Sequence, residues 1–397
     1  MSTPQDPERL ARVREALKVA NLDGIVCSLP RNVLMLTSYW PVIGTSVALV
    51  NAAGDTHLIV PEDEAALAEP CGIPLSTFQP GKLETLVIAS EQLRSPLQSA
   101  LQGLGLSGGR LGSDGGAAST PASYSATHLY GSALRDLLEG DSANVREASE
   151  MLNQLSASLT RFELDRLRRA TSIIGEAFTA IKNAVRIGTS EAEIAAELTA
   201  LLSTAASARN IDRAGGFAWC MSGANSAQAH YAFAYTRHRR IEHGDLVLLH
   251  CNSQAFGMWT DVTRTFVMGQ PSSRQREIYR AVFEARDAAF AVLKPGATGA
   301  QVDQAARKVM ARHGFAEAFK HGTGHGVGFG AISGGDRPRI HPQSPDVLAP
   351  GTVFNIEPAA YFEGFGGIRQ CEMVVITDAG AELLTPFQDN VSELVIE

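Results

Sequence analysis

The sequence predicts a two-domain α+β protein: a smaller α/β domain over residues 1–155 and a larger domain, with the chemistry, over residues 156–397. Three observations carry this. A chain of 397 residues is long enough to bury two cores. Helical and strand periodicities alternate along it. The second half contains a turn-plus-helix unit twice.

The first helix runs from Pro7 to Leu22, with Leu10, Val13, Leu17 and Ala20 at three- and four-residue spacing. Gly24-Ile-Val-Cys-Ser-Leu reads as a strand. Ser46-Val-Ala-Leu-Val and Thr56-His-Leu-Ile-Val read as a hairpin turned at Ala53-Gly54-Asp55. The Gly/Ser-rich tract from Gly103 to Ser125 reads as loop. A domain boundary fits between Asn153 and Thr160, ahead of a charged helix from Arg161 to Arg169. The repeated unit lays Ile187-Gly-Thr-Ser-Glu-Ala-Glu-Ile on Pro295-Gly-Ala-Thr-Gly-Ala-Gln-Val. Gly188 then matches Gly296, and Ser190 and Thr298 are the expected helix caps. A pseudo-twofold domain places a site in the crevice between its halves.

Composition narrows the function. A net charge of −8 offers no basic stripe to neutralise phosphates, which argues against nucleic acid as a partner. The five cysteines are odd in number and scattered, unlike a secreted disulfide framework, so the expected location is the reducing cytoplasm. The chain opens on charged helix rather than an apolar leader. The most apolar long stretch, Val33 to Val50, is interrupted by Pro41 and Gly44, so no membrane span is expected.

Four segments bring polar groups into otherwise strand-like sequence. They are Ser222 to His230; Gly244 to Asn252, continuing to Asp261-Val-Thr-Arg-Thr; Gly322-Thr-Gly-His-Gly-Val-Gly328; and Phe354-Asn-Ile-Glu-Pro358, continuing to Gly366-Gly-Ile-Arg-Gln-Cys-Glu372. His325 lies among glycines, where backbone can pass close to a ligand. Glu357 is an acid in an apolar strand, which must be paired or coordinated.

Taken together, Asp261-Val-Thr-Arg-Thr, Thr323-Gly-His-Gly-Val-Gly and Ile356-Glu-Pro resemble the motifs of the pita-bread metallopeptidases. These are Xaa-Pro dipeptidase, aminopeptidase P and methionine aminopeptidase, with creatinase as a metal-free relative. The resemblance spans about residues 160 to 390 and, more loosely, the first 150. It implies a pita-bread domain behind a creatinase-like N-terminal domain, and a homodimer. In those enzymes two Asp, one His and two Glu hold two divalent ions. Asp261, His325 and Glu357 match that ligand set. The first Asp falls on His250 and the last Glu on Cys371, with Glu372 one place later.

Loss of two carboxylates weakens a two-ion manganese-type site. The expectation is therefore at most one ion, zinc or manganese, on Asp261, His325, Glu357, His250 and Cys371, or no metal at all. His230, Glu357 and His325 are the catalytic candidates. Arg369, His341 and His321 are the substrate-contact candidates, Arg369 because its fork fits a carboxylate. The expected function is hydrolysis of an amide-type C–N bond in a small molecule or short peptide, as in Xaa-Pro peptidases. Two alternatives stand beside it: a metal-independent, creatinase-like hydrolase of a small amide or amidine, and a non-catalytic binding protein.

Overall fold

The structure is a computed structural model. It describes residues 4–42, 46–81, 83–84, 86, 89–114, 133–139, 144–211, 213–231, 235–331, 336–385 and 390–397. These divide into two compact units, one ending at Ser156 and the other beginning at Ala157.

The first unit has six strands: β1 (Gly24–Cys27), β2 (Val47–Asn51), β3 (Thr56–Pro61), β4 (Leu75–Phe78), β5 (Arg110–Ser113) and β6 (Asn144–Glu147). They form one mixed sheet in the order β4-β3-β2-β1-β5-β6. Its helices are α1 (Pro7–Val19), α2 (Pro30–Thr37), α3 (Ala65–Ala68), α4 (Ala89–Gly103), α5 (Ala133–Glu139) and α6 (Ser149–Ser156). Asp6 caps α1 by accepting the Glu8 N–H at 2.9 Å, one residue ahead of the proline that opens the helix. The β2–β3 hairpin forms in register, Val50 opposite Thr56. Pro30–Thr37 is a helix opened by its Pro at N1. One expectation is corrected. The tract read as loop contains β5, an inner strand whose four residues are too short for an alternation signal. Residues 115–125 of that tract lie outside the described residues.

The second unit contains α7 (Arg161–Ile181), α8 (Glu191–Ser207), α9 (Ser273–Phe290) and α10 (Gly299–Arg312). Its long strands are β7 (Ala214–Ser222), β8 (Leu246–Ala255) and β9 (Met258–Met268), followed by the short β10 (Gly324–His325) and β11 (Arg339–Ile340). Then come β12 (Val353–Ile356), β13 (Ala359–Phe362), β14 (Gly366–Arg369), β15 (Glu372–Thr377), β16 (Gly380–Leu383) and β17 (Val395–Ile396). The pairing is antiparallel throughout, apart from β17 beside β9. Long helices α7 and α8 pack on these strands.

The repeat is written into the hydrogen bonds. Gly188 N–H donates to Ile241 O at 2.8 Å and Gly296 N–H to Leu348 O at 2.8 Å, both glycines with φ 86°. Gly244 N–H donates to Met268 O at 2.7 Å, and Gly351 N–H to Ile376 O at 2.8 Å. Both expected caps form, with Ser190 and Thr298 each closing a capping box. In this register the β8–β9 hairpin corresponds to β12 and β13 returning through β14 and β15. His250 then stands where the second copy has Glu357, Asp261 where it has Arg369, and Thr263 where it has Cys371. Thr263 and Cys371 form an antiparallel bridge with each other, as equivalent residues do across a twofold axis.

Candidate active site

Strand register sets the floor of the site. His250 pairs with Trp219 on one side and Thr263 on the other, and Asn252 pairs with Asp261. Directly opposed residues share a face and neighbours alternate, so Trp219, His250, Asn252, Asp261 and Thr263 line one face. Arg264 points to the other.

Asp261 is buried at the centre. Its Oδ1 lies 3.7 Å from His250 Nδ1 and its Oδ2 3.5 Å from His325 Nε2. Both separations are longer than hydrogen bonds, and Oδ2 has no hydrogen-bond partner. His325 reaches this point because Gly324 lets β10 press against the strand that carries Asn355. A Cβ at 324 would lie 1.9 Å from Asn355 O. Burial works against the Asp261 carboxylate, but the surrounding His250, His325 and Arg369 groups outweigh it and keep it ionised. Burial also works against a charged His325, and Asp261 overcomes this, raising the imidazole to about 9. Asn355 accepts the His325 N–H on Oδ1 at 2.7 Å and turns its amide nitrogen to 3.2 Å from Nε2. That donor opposes the proton which Asp261 draws onto the ring. The full charge of Asp261 outweighs the amide dipole.

Glu357 follows β12, held by its N–H to Thr323 O at 2.8 Å. Its carboxylate lies 3.9 Å from Arg369 Nε. Burial raises Glu357 to about 7, with Arg369 and His325 pulling the other way. Thr323 is itself pinned by Asp303 on α10, whose Oδ1 accepts the Thr323 N–H at 3.0 Å and hydroxyl at 2.8 Å. Arg307 bonds the same carboxylate at 2.7 Å and reaches Phe319 O and His321 O.

Around this centre, His230 is half-buried, with its ring 5.2 Å from Tyr361 and its pKa lowered by burial. His321 Nε2 meets the Tyr361 hydroxyl at 3.0 Å, and burial lowers this imidazole to about 3. Of the remaining substrate candidates, Arg369 is buried at the centre, whereas His341 is exposed and accepts its own turn's Gln343 N–H at 3.2 Å. Asn355, Tyr361, Thr263 and Trp219 were not singled out from sequence, although Asn355 breaks an apolar strand in the same way as Glu357. Trp219 stacks on His250 at 4.6 Å and 11°.

The donor set does not fit the family's two ions. Among the described residues no group of three His, Cys, Asp or Glu side chains stands where it could hold a metal ion. Both nitrogens of His250 face protein partners: Nδ1 with Thr263 Oγ1 at 2.8 Å, and Nε2 with Asn252 Oδ1 at 3.1 Å. Burial and the Asp261 charge push the Cys371 thiol far above its ordinary range, so it stays protonated. Glu372 points to the opposite face, where it pairs with Arg264 at 2.7 Å.

Antiparallel hairpins related by a pseudo-twofold, with the polar cluster at their junction, define the pita-bread class. Over residues 165–378 the chain matches the model of metallopeptidase family M24, and it belongs to that family. It is similar to the Xaa-Pro dipeptidase of Pyrococcus furiosus, 32% identical over 248 residues, covering 62% of this chain and 68% of that one. The Xaa-Pro dipeptidase of Pyrococcus horikoshii is 27% identical over 382 residues, 95% of this chain and 97% of the relative. Among solved structures, the Xaa-Pro dipeptidase from Bacillus anthracis superposes with a TM-score of 0.79 at 25% identity, covering 98% and 99% of the two chains.

Proposed function

We propose that this chain is a hydrolase of the Xaa-Pro peptidase type, cleaving an amide C–N bond in a short peptide at an altered metal site. The observation that carries the reading is the junction of Asp261, His325, Glu357 and Arg369, in a chain alike over nearly its whole length to Xaa-Pro dipeptidases. Amide hydrolysis needs a base for the attacking water and an acid for the leaving nitrogen. Glu357, raised to about 7, exchanges a proton near neutrality and suits either task. His230, neutral at the rim, supplies a second proton carrier. Arg369 offers a fork to a substrate carboxylate. Asp261 keeps His325 oriented.

The site holds at most one divalent ion, zinc or manganese. The second reading, a metal-independent hydrolase of a small amide or amidine, is favoured by the closure of His250 within protein hydrogen bonds. Cytoplasmic location and a homodimer belong to the same proposal. Five free, buried cysteines suit a reducing compartment, and no helix among the described residues is long and apolar enough to cross a membrane. The dimer rests on the family resemblance alone.

The test is hydrolysis of Xaa-Pro dipeptides against matched Xaa-Ala dipeptides, with chelator and with added Mn²⁺ or Zn²⁺. Turnover confined to Xaa-Pro is expected. His230→Ala and Glu357→Gln should each lower kcat by about two to four orders of magnitude. Near-normal turnover in both would move the chemistry elsewhere.

A further inference from the structure

We infer that His250 is a positioning residue, holding the Arg369 guanidinium in place through the Thr263 hydroxyl. Three hydrogen bonds run in series. Arg369 Nε donates to Thr263 Oγ1 at 3.1 Å, Thr263 Oγ1 meets His250 Nδ1 at 2.8 Å, and His250 Nε2 meets Asn252 Oδ1 at 3.1 Å.

The Asn252 end sets the direction of the series, and the Arg369 end is compatible with it. A guanidinium only donates, so the Thr263 oxygen accepts from Arg369 and keeps its single proton available for His250 Nδ1. At the far end Asn252 Nδ2 donates to Thr260 O at 3.4 Å, which leaves Oδ1 facing the ring as an acceptor. His250 therefore carries its proton on Nε2 and spends its Nδ1 lone pair on Thr263. Trp219, stacked on the ring, holds its plane. No lone pair is left for a metal ion.

The residue standing where the family has its first aspartate thus acts through a hydroxyl on the cation of the pocket. Thr263 Oγ1 is the hinge. It lies beside Arg369, whose Nη1 also reaches Ala229 O at 3.5 Å and whose Nε lies 3.9 Å from Glu357. Without the hydroxyl, the planar fork loses the bond that orients it toward Glu357, and a bidentate contact with a substrate carboxylate degrades.

The kinetic arm rests on the hydrolase reading; a second arm does not. With alanyl-proline as the probe, Thr263→Val and His250→Phe should raise KM about tenfold or more, as loss of a bond to a charged group does, with kcat changed less than about threefold. Thr263→Ser, which keeps the hydroxyl, should restore KM. Wild-type KM in Thr263→Val, or a fall in kcat alone, overturns the inference. Failure of the wild-type protein to cleave alanyl-proline counts against the hydrolase reading only.

The activity-independent arm is nitrogen-resolved NMR of the histidines at neutral pH, with His250 assigned by its loss in His250→Phe. The expected ring is protonated on Nε2 alone, with the Nδ1 resonance shifting in Thr263→Val and holding in Thr263→Ser. A proton on Nδ1, or a ring nitrogen that shifts on adding Zn²⁺, overturns it.

Discussion

Replacing Glu372 with glutamine should destabilise the protein severely while leaving its metal content unchanged. Glu372 lies one residue beyond the last ligand position of the family motif, and on a strand one residue means the opposite face. There its carboxylate bonds Arg264 Nη2 at 2.7 Å, lies 3.7 Å from Arg286 and accepts the Thr385 hydroxyl at 3.3 Å. Both side chains of the Arg264 pair are 1% exposed. Glutamine keeps the shape and removes the charge, leaving the Arg264 guanidinium in the interior without its carboxylate counter-charge. Breaking a buried pair from one side costs about 3–5 kcal/mol. At roughly 2–4 °C per kcal/mol for a domain of this size, Tm should fall by roughly 6–20 °C. Urea denaturation and calorimetry read the loss, and elemental analysis reads the metal. Arg264→Met with Glu372→Leu should recover most of it, since an apolar replacement avoids the stranded charge. Stability within about 1 kcal/mol of wild type, or a drop in bound metal, would refute the placement of Glu372.

His321, held neutral with its pKa lowered to about 3, contributes stability that is present above about 6.5 and lost as pH falls toward 3, because the unfolded chain takes the proton first. Denaturant melts from pH 7.5 to 4.5 should show a steeper acid loss in wild type than in His321→Gln; equal slopes contradict it. Ser190→Ala and Thr298→Ala should each cost about 1 kcal/mol by thermal melts, as lost caps do. Gly324→Ala places a methyl against the Asn355 carbonyl, so β10 must move and activity should collapse along with some stability. An active, unshifted Gly324→Ala protein would mean that His325 is not held by that close approach.

Much of this was legible because the polar residues of the site break strong apolar patterns. Asp261, His325 and Glu357 stand out against β-branched and glycine-rich neighbours, and the caps of α8 and α10 follow a four-residue signature. The repeat was visible at its turns, where Gly188 and Gly296 need positive φ, but its strands were not alignable by eye. There the correspondence is Leu246-Val-Leu-Leu-His against Val353-Phe-Asn-Ile-Glu, with no residue shared. The role of His250 was also hidden, since from sequence it reads equally as metal ligand, substrate contact or filler. Only the direction of its hydrogen bonds separates these, and that depends on Thr263 and Asn252, which alternation places on the same face but does not orient. In the first unit, β5 was missed because four residues between glycines leave too few positions to display a period.

The pairing of Thr263 with Cys371 marks where the two halves of the repeat meet, and it makes their differences readable. Each half contributes two polar groups from matching places: Asp261 faces the slot of Arg369, and His250 that of Glu357. A duplicated scaffold begins with identical groups on both sides, so a cavity on its axis starts out indifferent to which way round a guest lies. Here both of these pairs combine an acid with a nitrogen base. The cavity has acquired a sense of direction, and an asymmetric chain such as a peptide meets it differently from its two ends.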